Sequence, residues 1–394
     1  RLSEGKECLT VLDFIGQANR NYSFESKFAA LLDHTRKSVE GEIRGGFSSV
    51  PKGCFIQLER KAQEYILENI RNAFGKKAGI LSRINSFEAD TAQTLSMSNF
   101  VSYYRLDPRN LYKRSNFSRL CVEAGALTDF SESLETMMNA AFKRMCSINS
   151  RRWLKFLQRV LSTIENISFA TLSEEEVKML QMLQFTIWQK RVEDCGFQDM
   201  KAALIYLKSN PVMYRETQDL LAINFNRIDF VDQAVDLGFP CPLDISCSYT
   251  RDQILVALDY MTPTNIREGV KYLPEKKCDV FFITLNKADK DYSPTTMYDD
   301  YSINETLFHW QSQSTTSANS STGQRYIHHK EMGSQILLFV REFKDDICGA
   351  SPYTYLGPAE YVSHEGSGPM SIIWRLLHPI PARFLSMTNK LVVG

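Results

Sequence analysis

The spacing of apolar positions changes twice along the chain. Residues 8–15 form a continuous apolar run with β-branched Val11 and Ile15, which predicts a buried strand. Residues 24–32 predict a short helix packed on it. Gly-rich and Pro-rich punctuation at 40–46 and 51–53 marks a boundary. From about residue 57 to 261 the period is helical. Leu58, Ala62, Tyr65, Ile66 and Ile70 share one face. Asp107-Pro108 and Asn210-Pro211 each place an N-cap before a first-turn proline. Ser173–Glu176 and Thr250–Gln253 have the form of capping boxes, and Val177, Leu180, Leu183 and Ile187 continue the first of these inward. The pattern predicts eight or nine helices. Beyond Pro263, strand-like runs at 278–285, 335–340 and 370–376 alternate with Ser/Thr/Gly-rich stretches at 314–323 and 366–369. The latter read as loops, and this half as a small β-barrel or closed sandwich. The fold class is therefore α+β.

A chain of 394 residues is long for one core, so two or three domains are expected. Formal net charge is zero, which argues against a general polyelectrolyte binder of nucleic acid while leaving room for a local basic patch. Nine scattered cysteines with no C-x-x-C pair suggest reduced thiols, with neither a disulfide framework nor a structural zinc site. No apolar run approaches the roughly 20 residues of a membrane span. A cytoplasmic location with no membrane partner is expected.

No G-x-x-x-x-G-K-[ST] loop and no D-E-A-H-type acid cluster occurs, so no catalytic residue and no cofactor is expected in this chain. Two helical stretches mix bases with aromatics: Arg105, Arg109, Lys113 and Arg114 among Tyr103, Tyr104 and Tyr112, and a second from Phe142-Lys143-Arg144 through Arg151, Arg152 and Trp153 to Arg159. Such stretches can neutralise phosphates and stack on unpaired bases. Equally, they describe a solvated helix face with its aromatics buried behind it. In the β half, His309, Gln311 and Gln313 would share one face of a strand, with Phe308 and Trp310 on the other. Glutamines in such a row can read base edges or satisfy backbone groups where a sheet bends. Arg325 is a candidate phosphate ligand and Tyr326 a further candidate reader. Five of six histidines follow residue 300, but none has the spacing of a known metal motif, so no metal ligand is assigned.

Seven short motifs occur in order: Thr284–Lys287, Tyr292–Tyr301, Phe308–Gln313, Thr322-Gly323, Leu338–Glu342, Pro352–Gly357 and Pro369–Ser371. Together they resemble the uncharacterised domain at the C-terminus of bacterial superfamily-two (DEAD/DEAH-type) DNA helicases, over roughly residues 240–394. The helices before it resemble the linking region of those proteins. Arg1-Leu2 with the Gly5-Lys6 turn and the apolar run after it is similar to the segment at the arginine motif that closes their second RecA-like domain. The resemblance implies three parts: 1–45 a remnant of that motor domain, with Arg1 a possible motif remnant; 46–262 a helical accessory region; and 263–394 the β-rich domain. It implies DNA (single-stranded, duplex or forked) as partner, alongside upstream motor and nuclease domains. It implies ATP and Mg in the parent protein, and a role in restriction or defence. The expected role of the chain is nucleic-acid engagement without enzymatic activity of its own. A docking or regulatory module and a cryptic metal nuclease are the alternatives.

Overall fold

The computed structural model describes residues 76–266, 268–286, 300–381 and 384–385, with residues 28, 42–43, 47, 50, 54–59 and 61–67. Arg1, the strand expected at 8–15, most of the helix expected at 24–32, and motif positions 287 and 292–299 lie outside the described residues. No helix among the described residues is long and apolar enough to cross a membrane.

The first half is helical. α1 (Lys77–Thr91), α2 (Met97–Tyr103), α3 (Arg109–Tyr112), α4 (Phe117–Glu123) and α5 (Glu135–Met145) are followed by α6 (Arg151–Ser162), α7 (Glu174–Ile187), α8 (Met200–Lys208), α9 (Pro211–Asn226) and α10 (Arg251–Ala257). Both capping boxes form. Glu176 N–H donates to Ser173 Oγ at 3.2 Å, and Ser173 N–H donates to Glu176 Oε2 at 3.0 Å. Thr250 and Gln253 make the reciprocal pair at 2.8 and 3.3 Å. Asp107 accepts from the Arg109 amide at 3.0 Å. Asn210 departs from its expected role. Its Oδ1 accepts from the Leu134 amide, 3.2 Å away, at the start of α5. The free amides of Val212 and Met213 at the start of α9 go instead to the Glu132 carboxylate, at 2.7 and 3.0 Å. Each loop thus caps the other's helix. Buried Glu216 joins α9 to α4 in the same way, accepting from the Phe117 and Ser118 amides at 2.6 and 2.9 Å. Burial pushes its carboxyl above the usual range against these hydrogen bonds.

The second half is built on a mixed sheet of eight strands, not on two packed sheets. Its order is β4 (Val270–Leu273), β5 (Cys278–Thr284), β8 (Gln335–Arg341), β11 (Tyr353–Glu365), β12 (Ser371–Leu376), β7 (Leu307–Gln311) and β6 (Tyr301–Ser302). β3 (Ser248–Tyr249) joins the start of β11. β5 and β8 run parallel. The other pairings in the sheet are antiparallel. Small antiparallel pairs, β1 (Gln233–Ala234) with β2 (Asp244–Ile245) and β9 (Asp345–Asp346) with β10 (Gly349–Ala350), lie outside it.

The sheet curls on itself. β11 is long, pairs with β8 through its first half and with β12 through its second, and changes register twice. At the first change Gly357 takes φ +100°, and a Cβ there would meet Ile245 Cδ1 at 2.9 Å. Only glycine meets both demands without strain. The curl brings β7 over β5, so that the Trp310 and Phe281 rings lie 4.3 Å apart.

Alternation along the strands divides the apolar residues between two cores. Phe281, Ile283, Ile336, Leu338 and Val340 face inward with Phe308, Trp310 and Trp374. Val280, Phe282, Leu337 and Phe339 face the helices and merge with their core. The helical half and the sheet thus share one apolar interior. The stretch 314–323, expected to be a loop, instead leads into α11 (Ser321–Ile327), capped by Ser320 Oγ accepting from the Gly323 amide at 3.0 Å. A Cβ on Gly323 would overlap the Ser317 carbonyl oxygen, so the Thr322-Gly323 motif marks a close backbone approach. Buried Tyr326 anchors this helix against Phe281, Trp310 and Trp374.

Candidate functional site

A cleft of about 1150 Å³ opens between the helices and the curled sheet. One wall comes from α3, α5 and the start of α10, the other from β5, β7 and the chain between β8 and β11. Six cationic residues line it: Arg109, Lys143, Arg144, Arg251, Arg341 and Lys344. Four carboxylates, Asp252, Asp300, Asp345 and Asp346, oppose them, leaving a formal excess of two positive charges. Phe282, Trp310 and Tyr353 supply apolar wall.

The cations differ in how they are held. Arg109 Nη1 donates to Asp346 Oδ2 at 2.9 Å, and its Nε donates to Asp107 at 2.8 Å, so two carboxylates neutralise it and keep it firmly protonated. Arg144 Nε donates to the Thr186 carbonyl at 2.7 Å, at the C-terminal end of α7, where a cation is favoured. Arg251 donates to the Ile266 carbonyl and the Tyr353 hydroxyl at 3.1 and 3.2 Å, with its guanidinium 4.6 Å from the Phe282 ring centroid. Arg341 donates to Thr284 Oγ1 and the Ser351 carbonyl at 2.9 and 3.3 Å and lies 4.5 Å from the Tyr353 ring. Among the described residues, Arg251, Arg341 and Lys143 form no salt bridge; aromatic faces and neutral acceptors orient the two arginines. Asp252 sits opposite. Burial raises its carboxyl pKa, while Arg144, a hydrogen bond from Gln189 and the neighbouring Arg251 act against that rise.

The residues expected from sequence scatter with respect to this cleft. Arg109, Trp310, Gln311 and Gln313 line it. The alternation expected on β7 is present: Phe308 and Trp310 are buried, and His309 and Gln311 are half-buried. The strand ends at Gln311, so Gln313 stands in the following turn and not on the strand face. His309 stacks on Tyr301, with ring centroids 4.8 Å apart. Arg105 is half-buried in a turn, and Lys113 and Arg114 are exposed, all three away from the cleft lining.

Arg151 and Arg152, expected as phosphate ligands, are held in ion pairs away from the cleft lining. Arg151 pairs with Asp232 at 2.7 Å, and Arg152 pairs with Glu175 and Asp244, both at 2.8 Å, which fastens α6 to the β1–β2 segment. Arg325 is bound through Nε and Nη2 to fully buried Asp279, at 2.7 and 2.9 Å, and so carries no free charge for a phosphate. Tyr326, expected to read a base, is packed into the inner core. One group among the described residues has metal-ligand proximity, Asp232, Asp244 and Cys247 within 4.8 Å. Its two carboxylates already serve Arg151, Arg152 and Ser150.

Sequence reasoning passed over Arg251, Arg341 and Tyr353 as site residues. Arg251 lies inside a capping box, and the other two occur in family motifs without an evident chemical pattern.

Residues 243–387 match the family model described as "Domain of unknown function (DUF3427)" and form such a domain. It contributes Arg251, Arg341 and the aromatic wall, while Arg109, Lys143 and Arg144 come from the helices before it. No curated protein matches the chain.

Proposed function

We propose that the cleft binds nucleic acid and that the chain is an accessory part of an ATP-dependent DNA helicase or translocase, with restriction or defence as its setting. The observation that carries this reading is the pair Arg251 and Arg341. Both are fixed on the cleft wall by Phe282 and Tyr353, and among the described residues neither forms a salt bridge. Oriented guanidinia that are not tied into salt bridges, beside aromatic wall, suit a phosphate backbone whose bases contact apolar surface. The zero net charge of the chain agrees with recognition confined to one local site rather than spread over the surface. The helicase part of the proposal rests on the order of the seven motifs and on the DUF3427 domain at 243–387.

The docking alternative draws on Phe343 and Ile347, exposed by 53% and 46% beside the β9–β10 hairpin. A binding panel separates the two readings: single-stranded, duplex and forked DNA against the wild-type chain and Lys143→Ala, a substitution that removes a cleft cation and no hydrogen bond. Binding of at least one form, weakened by Lys143→Ala, supports the nucleic-acid reading. No binding at low salt refutes it.

A further inference from the structure

A second cavity, of about 390 Å³, adjoins the cleft: Val270, Gln313 and Thr315 line both. Its volume falls at the lower end of the roughly 300–1,000 Å³ of small-molecule sites. Its charge differs from that of the cleft. Two cations, Lys271 and Arg325, face two carboxylates, Glu268 and Asp279, so the lining is formally neutral.

Arg325 is the best-defined donor in it. Two of its nitrogens hold Asp279, and its guanidinium carbon lies 3.9 Å from the Tyr272 ring centroid. The third nitrogen, Nη1, has no hydrogen-bond partner among the described residues and is not among the buried unsatisfied atoms. It is therefore accessible, on a residue that lines the cavity. The bidentate pair and the ring together lock the plane of the guanidinium, so this donor has a fixed direction. Thr315 and Thr322 line the same space.

A phosphate gains little here, because Asp279 already neutralises Arg325 and Glu268 repels an anion. A small, neutral, planar group with acceptor atoms on its edge fits the lining better. We propose that this cavity receives one unstacked nucleobase from the strand whose backbone lies in the cleft, with Arg325 Nη1 donating to a carbonyl or ring nitrogen of that base. The inference rests on the nucleic-acid reading of the cleft and divides the labour within it: backbone in the charged cleft, base in the neutral cavity. Base edges carry acceptors that arginine recognises, and unpaired bases are read in pockets of this kind.

The test compares single-stranded oligo-dT, oligo-dA and oligo-dC with an abasic oligomer of equal length. Binding to each is measured for the wild-type chain, Thr322→Trp, which fills the cavity, and Arg341→Ala, which strips a cation from the cleft. The expected wild-type result is at least a tenfold preference for one base-bearing oligomer over the abasic one. Thr322→Trp should reduce that preference to about twofold, whereas Arg341→Ala should weaken all four oligomers alike. Arg325→Lys keeps a cation for Asp279 but loses the planar donor, and it gives the same readout if Thr322→Trp does not fold. Equal affinity for abasic and base-bearing strands, or full preference in a folded Thr322→Trp, overturns the inference and leaves the cleft reading standing. Failure of every single-stranded oligomer to bind the wild-type chain overturns the inference, and failure of duplex and forked DNA as well overturns the cleft reading itself.

Discussion

Burial decides what the charged side chains can do. Asp279 is wholly inside, and Arg325 is its partner, so truncating one should leave the other uncompensated. Arg325→Ala is expected to cost about 3–5 kcal/mol, measured by denaturant unfolding; a loss below about 1 kcal/mol would show that water or another cation relieves Asp279. His329 offers a second test. Its Nε2 accepts from the Tyr361 amide at 3.1 Å, so Nδ1 carries the proton and donates to the Ser334 carbonyl at 3.1 Å. The ring is neutral in the fold, and burial lowers its pKa below 6.5, with Lys330 acting in the same direction and Glu360 and Asp279 against it. A base whose pKa is depressed on folding stabilises the protein above its unfolded pKa. That contribution is lost as the pH falls through 6.5 toward the folded value, with a limiting slope of about 1.4 kcal/mol per pH unit. Stability should therefore decline between pH 7 and 5.5, and His329→Gln should flatten that decline. An identical pH profile in the variant would mean that His329 protonates as readily in the fold as in the unfolded chain.

Secondary-structure elements were legible from sequence where their signals are local. The two capping boxes span four residues each, and both form. The cap of α9 was not legible, because its acceptor, Glu132, lies 80 residues before Val212. Replacing Glu132 with Ala should orphan two amides and cost about 0.5–2 kcal/mol, whereas Asn210→Ala should act through α5. Thermal melts of the two variants and their combination test the exchange, and additive losses are expected. α11 was hidden for a related reason: its Ser/Thr-rich start has no helical period, and its place depends on Tyr326 entering the inner core and on Gly323 touching the Ser317–Ala318 backbone. Gly323→Ala should displace the helix and destabilise the fold by about 1–3 kcal/mol. A variant as stable as wild type would show that the 317–318 segment yields easily.

At the scale of the molecule, one apolar core joins helices and sheet, and the cleft forms where they diverge. Its lining runs from Arg109 to Tyr353 in sequence, which is why no single motif disclosed it. The α+β class, the helical first half and three of the main strands could be read from period alone. The curl of the sheet could not, since it depends on register changes in β11 that pair residues far apart. The bases most conspicuous in sequence, Arg151 and Arg152, hold the fold together, while the functional candidates, Arg251 and Arg341, occur singly among unlike neighbours. The most direct test of the nucleic-acid reading is the salt dependence of DNA binding by the wild-type chain, Lys143→Ala and Arg251→Gln/Arg341→Gln. Log affinity should fall linearly with log salt. Each lost phosphate contact should reduce the slope by about 0.7 for single strands and 0.9 for duplex, so the double variant should lose about twice as much slope as Lys143→Ala. An unchanged slope in folded variants, or no binding even at low salt, would contradict it.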